Sequence, residues 1–342
     1  MGFIGVAQKG PFDIEDATAI KFLYDANPYG KTNSDVLRPT FNAKDVTTRP
    51  RNSWNIDFGL ARSLEDSALY VQPFEHVKKV VYPLRVDHRE ARQTRYWWLF
   101  ARPCPDMRNA LVGLPRFIAT PRVSKHRVFA WLTPEVLCDS ALVIFARPDD
   151  YHLGILHSRP HEVWARAQGT QVRERESGFR YTPTTCFETF PFPEPSDDQM
   201  VAVAEAAKQL DAMRSGWLNP PEWTREEVLE FPGSVDGPWS RYVHEPDHRG
   251  IGTVRYPRVI PRDRACAAML AKRTLTNLYN ARPTWLDLAH RRLDEAVFAA
   301  YGLDPATSDE GLLAALLELN LRRRPAGAPP VDDPAEDDDA GS

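Results

Sequence analysis

Several groups of side chains in this 342-residue chain have types and spacings that could do chemistry. Pro148-Asp149-Asp150, followed by Glu162, sets three carboxylates in the manner of a metal-dependent nuclease, in which acidic groups share a cation that activates water. The lysine expected two residues after the glutamate is missing, because the stretch reads Glu162-Val163-Trp164. His152, His157 and His161 are close enough in sequence to suggest a metal. Pro160, however, interrupts any helix that would align His157 with His161, and no fourth ligand is evident. Structural, hydrogen-bonding histidines are the better reading.

Other short matches fail on context. Asn27-Pro28-Tyr29-Gly30 lacks the second proline and the preceding apolar strand of an amino-methyltransferase Asn-Pro-Pro-Tyr motif, and reads as a helix stop. Gly2-Phe3-Ile4-Gly5 lacks the spacing of a Gly-rich cofactor-binding turn, and no acidic residue follows at the distance a ribose would need. Asp57-Phe58-Gly59 matches a kinase triplet without a Gly-rich loop or His-Arg-Asp to accompany it. No Gly-x-Ser-x-Gly and no phosphate-binding loop occurs. A catalytic site of a common kind is therefore not complete in this sequence, and no catalytic or metal-ligating residue is assigned.

The charge distribution says more. The net charge of −4 averages two unlike regions. Asp332, Asp333, Glu336, Asp337, Asp338 and Asp339 form an acidic end, without which the rest is +2. Between Arg38 and Arg127, 13 Arg and 4 Lys face 8 acids, a local balance of +9. Arginine outnumbers lysine 34 to 9, and its planar guanidinium suits phosphate and guanine recognition. Such clustering fits a nucleic-acid surface or a merely basic face. The composition, 42% apolar and 26% charged, is that of a globular protein. Cys104, Cys138, Cys186 and Cys266 lie far apart with no Cys-x-x-Cys pair, against a zinc ribbon or disulfide scaffold. No apolar run reaches the roughly 20 residues needed to cross a bilayer, and the first ten residues do not resemble a secretion signal. The expected location is the cytoplasm, associated with the nucleoid.

The elements that must position these residues follow from periodicity. Residues 13–26 read as a helix capped by Asp13, with Ala17, Ile20, Leu23 and Ala26 at helical spacing. From Trp54 to Leu156, short apolar and β-branched runs read as strands: Val77–Val86, Arg95–Ala101, Arg116–Thr120, Val123–Leu132, Val136–Ala146 and Tyr151–Leu156. Glu162–Ala167 reads as a short helix. Ser196 with Gln199 forms a capping box that opens a helix with Val203, Ala207 and Leu210 on one face, stopping at Gly216. Residues 217–262, rich in Pro, Gly and Trp, show little periodicity. Leu286, Ala289, Leu293, Ala296 and Ala300 line one helix, and Glu310–Arg323 forms another. The expectation is an α+β chain. A β-rich mixed domain spans 1–195, a mainly helical extension 196–325, and a disordered acidic tail 326–342.

In their order along the chain, several segments resemble the C-terminal half of large N6-adenine DNA methyltransferases of the single-chain restriction–modification kind (types IIG and IIL), with relatives in phage defence. They begin with Ser34-Asp35-Val36-Leu37-Arg38-Pro39 with Asn42 and Asp45, then Trp54-Asn55-Ile56-Asp57-Phe58-Gly59. Pro73-Phe74-Glu75, Arg95-Tyr96-Trp97-Trp98 and Arg122-Val123-Ser124-Lys125-His126 follow. The strongest are Gly154-Ile155-Leu156-His157-Ser158-Arg159 with His161-Glu162 and Trp164, and the run from Arg180 through Thr185 and Phe187 to Pro193. Leu278–Leu286, Leu293-Asp294 and Ala300-Tyr301-Gly302 extend the likeness over roughly residues 1–303.

The resemblance implies a target recognition domain followed by a helical extension. The family's S-adenosyl-L-methionine motif and its Asn-Pro-Pro-Tyr-like motif lie upstream of these segments and are not found in this sequence. The expectation is thus the recognition part of an adenine methyltransferase that binds double-stranded DNA. A separate catalytic subunit or missing N-terminal half would bind S-adenosyl-L-methionine. Taking a base out of the stack costs a few kcal/mol, which DNA binding must offset. Arg122, Ser124, Lys125, His126 and Arg127 fit that need. If the segment is a strand, Arg122, Ser124 and His126 share one side and Val123, Lys125 and Arg127 the other. A solvated edge strand is the competing account. Arg180, Tyr181, Thr182 and Thr184 offer a guanidinium, a phenol and hydroxyls for DNA, or a buried turn whose hydroxyls serve the local backbone. His157, Ser158, Arg159, His161 and Glu162 are read as a network bracing the recognition loops. Two alternatives stand beside this reading: a stand-alone duplex nucleic-acid-binding protein without methylation, and a hydrolase built on Asp149, Asp150 and Glu162.

Overall fold

The computed structural model describes residues 1–171 and 178–323; the acidic end read as a tail lies outside the described residues. Among those described, the helices are α1 Asp16–Tyr24, α2 Ala43–Thr47, α3 Leu64–Ala68, α4 Val71–Val80, α5 Tyr82–Arg85, α6 Ala91–Arg95 and α7 Pro105–Leu111. They continue with α8 Asp150–His157, α9 Arg159–Gln168, α10 Asp197–Leu218, α11 Arg264–Leu270, α12 Leu275–Ala281, α13 Thr284–Tyr301 and α14 Asp309–Arg323.

The strands form four sheets. β1 (Gly2–Ile4), β9 (Leu142–Phe145), β5 (Phe117–Pro121) and β7 (Ala130–Leu132) lie side by side, all antiparallel. β5 and β9 are buried along their whole length, which is why both are nearly unbroken apolar runs. A second sheet runs β2 (Asp13–Ile14), β4 (Trp54–Ile56), β3 (Leu37–Phe41), β8 (Leu137–Cys138). A small one pairs β6 (Val123–Ser124) with β11 (Phe179–Arg180) and β11 with β10 (Thr170–Gln171). The fourth is a long hairpin, β12 (Thr224–Ser234) on β14 (Ile251–Pro261), with the short β13 (Val243–His244) at the far edge.

The α+β class and the helical character near the C-terminus stand, with local corrections. Asp13 is not the cap of the first helix: it sits in β2 opposite Asn55, and α1 starts after Glu15. Val77–Val86 is helical, because Phe74, Val77, Val81 and Arg85 repeat at helical spacing and are buried together. Arg95–Ala101 is likewise no strand, since α6 ends within it and a turn follows. Tyr151–Leu156 is helix α8, apolar on almost every side because nearly all of it is buried, so its period is hidden. α10 does not stop at Gly216 but runs to Leu218, where Asn219-Pro220 ends it; its capping box is Ser196 with Gln199 as expected. The hairpin within 217–262 was not foreseen. Only a short patch of one face is apolar, where Leu229, Phe231, Val254 and Tyr256 pack on the core, and the strands hold Pro232 and Pro257. Its register is set by opposed charges: Arg255 meets Glu230 at 3.1 Å and Arg258 meets Glu227 at 2.6 Å.

The hairpin anchors through Trp239, which is fully buried, packs on Trp54 and Phe231, and donates to Leu37 O at 3.1 Å. One hydrophobic core runs from Val6 to Leu316 and includes β5, β9, α8, α10 and α13. Within it α8 approaches its neighbours closely at Gly154, where a β-carbon would lie 2.8 Å from Val203 of α10 and 3.2 Å from Leu293 of α13. Only glycine lets these helices approach so closely.

Candidate nucleic-acid interface

The segment 122–127 begins as a strand and does not continue as one. Val123 and Ser124 pair with Arg180 and Phe179, then the Ser124 hydroxyl donates to His126 O at 2.7 Å and closes a turn. The alternation of faces therefore breaks after Ser124. Arg127 turns inward, against the expectation that it reaches DNA. It is 7% exposed and donates to Thr120 Oγ1 at 3.2 Å, to Phe179 O at 3.1 Å and to Pro121 O. Its guanidinium lies 4.7 Å from the Phe179 ring and 5.1 Å from that of Tyr181. Burial pulls its pKa down to about 10, still far above neutrality, so a full positive charge is held by carbonyls and ring faces.

Tyr181 is interior too. It is fully buried, its hydroxyl donating to His161 Nε2 at 3.0 Å. Thr182 O accepts from Cys186 N at 2.8 Å and opens the wide helical turn Pro183–Phe187. The Thr184 hydroxyl is buried with no hydrogen-bond partner among the described residues. From the 180–184 stretch, Arg180 alone presents an exposed side chain. Lys125 is also exposed, while Arg122, Ser124 and His126 are half-buried. Arg122 Nη1 donates to Ser140 O at 3.4 Å. Lys125 Nζ and His126 Nε2 both meet Asn280 Oδ1, at 2.8 and 2.9 Å, so a helix 155 residues away in sequence holds this turn. Gly178, at φ +87°, brings the backbone against the turn: a β-carbon there would stand 1.9 Å from Ser124 O.

The five residues read as one bracing network, His157, Ser158, Arg159, His161 and Glu162, take separate sets of partners. His157 Nδ1 donates to Leu153 O at 3.2 Å, while its Nε2 accepts from Phe129 N at 3.1 Å and from Arg214 at 2.6 Å. Arg214 also donates to Phe129 O at 2.9 Å, Asp211 at 3.0 Å and the Tyr279 hydroxyl at 3.3 Å; that hydroxyl meets His290 Nε2 at 2.9 Å. Burial, then the nearby Arg214 charge, holds His157 well below the usual imidazole range. Burial takes His161 and His290 to about 3. All three are neutral hydrogen-bonding groups. Arg159 ties α9 to the helical region. Its backbone N donates to Asp294 at 2.7 Å, and its guanidinium reaches Asp309 at 2.7 Å, Pro305 O at 3.2 Å and Thr307 O at 2.7 Å. Ser158 turns its hydroxyl to Ile155 O at 2.6 Å, and Glu162 pairs with Arg166 at 2.6 Å on the surface of α9.

The carboxylates once considered for hydrolysis are each committed elsewhere. Asp149 caps α8 and holds His152 at 2.8 Å, Asp150 pairs with Arg116 at 2.9 Å, and Glu162 with Arg166. Among the described residues no group of three or more His, Cys, Asp or Glu could hold a metal ion. Asn27 spends its amide on Lys31 O, Asn33 and Val71 N, a loop brace and not an open catalytic amide. At Gly5 a β-carbon would fall 2.1 Å from Asp139 O, and β1 leads into the bridging residues Val6 and Ala7, with no helix after the turn. The Gly2–Gly5 stretch therefore does not fit a nucleotide-type cofactor.

Sequence reasoning missed Arg214, Tyr279, Asn280 and His290. The signal available was the Leu278-Tyr279-Asn280-Ala281 run, which stood out without a role.

Comparison with known proteins brings these elements together. Residues 67–194 match the family model described as the target recognition domain of MmeI. That segment contains every residue singled out from the sequence for DNA contact or bracing. No curated protein matches the chain. Among solved structures, the type IIL restriction-modification enzyme MmeI in complex with DNA matches with a TM-score of 0.63 at 18% identity, over 94% of this chain. This chain spans about a third of the length of that enzyme chain, 35%. Residues 67–194 are thus similar to the MmeI target recognition domain, within a chain that shares the fold of about a third of MmeI.

Proposed function

We propose that this chain is the DNA sequence recognition part of a site-specific adenine-N6 DNA methyltransferase of a restriction–modification or phage-defence system. The observation that carries the reading is the match of residues 67–194 to the MmeI target recognition domain, inside a fold like that of the DNA-bound enzyme over almost the whole chain. The exposed Lys125 and Arg180 on the β6–β11 edge supply cations for phosphate, and the half-buried Arg122 and His126 lie beside them. Fixed neutral histidines and Arg214 hold the underlying strands, as recognition requires: base readout depends on side chains held to within a fraction of an ångström.

In this reading, methyl transfer belongs to a methyltransferase core that binds S-adenosyl-L-methionine, supplied by a separate subunit or by an N-terminal half of the same protein, and double-stranded DNA is the shared substrate. The test is co-expression with a catalytic methyltransferase encoded beside this chain, followed by mapping of N6-methyladenine. One short motif methylated only when both are present is the expected result. Methylation that is absent, or whose sequence does not depend on this chain, rejects the reading. Salt-sensitive duplex binding without any methylation would instead favour a stand-alone DNA-binding protein.

A further inference from the structure

Helix α12 lies outside the segment that matches the MmeI target recognition domain, yet it holds both walls of a groove beside the recognition turn. Thr276 Oγ1 donates to Thr47 O, at the end of α2, at 3.0 Å. One helical turn on, Asn280 Oδ1 takes Lys125 Nζ at 2.8 Å and His126 Nε2 at 2.9 Å. Between these walls is a groove of about 290 Å³ lined by Lys44, Thr47, Ser124, Lys125, His126 and Thr276. Lys44, Lys125 and Asn280 are exposed, and neither lysine has a carboxylate partner among the described residues.

The charged groups at this corner are all donors. An ammonium has hydrogens to give and no lone pair to receive, so the amide atom facing Lys125 must be the oxygen. His126 therefore carries its proton on Nε2. With its oxygen committed to the protein, Asn280 turns its NH2 away, and that group has no acceptor among the described residues. The charged and amide groups that remain available are donors: the Asn280 amide hydrogens, the spare ammonium hydrogens of Lys125, and Lys44 across the groove, beside the hydroxyls of Ser124 and Thr276 and the His126 ring. A phosphate oxygen, or the O6/N7 edge of guanine, would find several donors here.

We infer that Lys125, His126 and Asn280, with Lys44 opposite, form a donor-rich contact site for acceptor groups of duplex DNA. Asn280 both positions Lys125 and touches the DNA. The inference rests on the DNA-recognition reading above and extends the interface to a helix beyond the matched segment.

The test uses the full chain and a labelled duplex with a randomised core, followed by anisotropy across a salt series. Asn280→Asp keeps an acceptor for Lys125 and His126 but turns an anion toward the DNA, and should weaken binding about tenfold. Lys125→Ala and Lys44→Ala should each lower the salt slope by about one phosphate contact if they meet the backbone. Selection from the random pool separates the two sources. A loss with Asn280→Ala that is uniform over sequences marks a phosphate, and a loss confined to one guanine position marks a base edge; either supports the site. If the parent binds and Asn280→Asp, Lys125→Ala and Lys44→Ala all bind as it does, the inference is overturned while the recognition role stands. If the parent binds no duplex, both fall. Should Asn280→Asp melt well below the parent, the two exposed lysine variants decide alone.

Discussion

The Arg214 guanidinium lies 2.6 Å from Nε2 of His157, and because it can only donate, that ring nitrogen must carry the lone pair. The same side chain, 2% exposed, reaches Phe129 O just before β7 and the Tyr279 hydroxyl on α12. One guanidinium on α10 thus joins α8, the residue that leads into β7, and α12.

Arg214→Ala should cost about 3 kcal/mol or more, because it leaves Phe129 O without its Arg214 donor and removes the bridge between helices. Urea denaturation of the parent and variant measures this. A change below about 0.5 kcal/mol, the usual range for a surface position, would show that the network does not hold the helices together.

The acid response should be shallow, because two sets of groups oppose each other. His157, His161 and His290 are held below the usual imidazole range, mainly by burial, so the unfolded chain takes up their protons first and stability falls as pH drops below about 6.5. Burial raises Asp139 and Asp294 to about 6; the folded chain holds their protons, and that stability is lost as pH rises through about 6. Asp139→Asn keeps an oxygen for Ala141 N and removes one opposing group. Relative to the parent it should be more favourable at pH 7 than at pH 5 by about 1–2 kcal/mol. Denaturation at the two pH values reads the difference, and an equal effect at both would contradict the assignment.

Arg127 and Arg180 look interchangeable in the sequence and should behave in opposite ways. Arg127→Ala removes a buried cation from three acceptors and two aromatic faces, and should destabilise the fold by about 2–4 kcal/mol. Arg180→Ala, on the surface, should leave the melting temperature nearly unchanged and flatten the salt dependence of duplex binding by about one contact. Thermal melts beside binding isotherms separate them, and a destabilised Arg180→Ala with normal binding would reverse their roles.

Gly178→Ala should spoil the recognition turn. Its φ of +87° is one that side-chain-bearing residues rarely adopt, and the added carbon meets Ser124 O at 1.9 Å, so β6 and β11 must separate. Duplex binding should fall sharply while α10 and α13, away from the turn, keep their protection from hydrogen exchange. Parental binding by Gly178→Ala would show that the pairing does not shape the interface.

What could be read from the sequence follows physical lines. The capping box at Ser196 and the apolar face of α13 were visible because short-range rules govern them. Helices α4 and α8 were mistaken for strands because β-branched runs and burial on all sides blur the period. The hairpin is hard to read because its apolar patch, Leu229, Phe231, Val254 and Tyr256, is short and is flanked by charged residues and prolines. In the segment 122–127 the residue types leave open which arginine faces out, because that depends on the turn closed by Ser124. Asn280 could not be found by spacing at all, since its partners lie 154 and 155 residues away.

The central claim is that this chain reads DNA sequence. The most direct measurement is selection of duplexes from a randomised pool by the purified full chain at moderate salt, with sequencing of the bound fraction. Enrichment of one short motif, bound well above scrambled duplex and lost as salt rises, is the predicted result. A bound fraction no richer in any motif than the starting pool, or no binding at all, would contradict it.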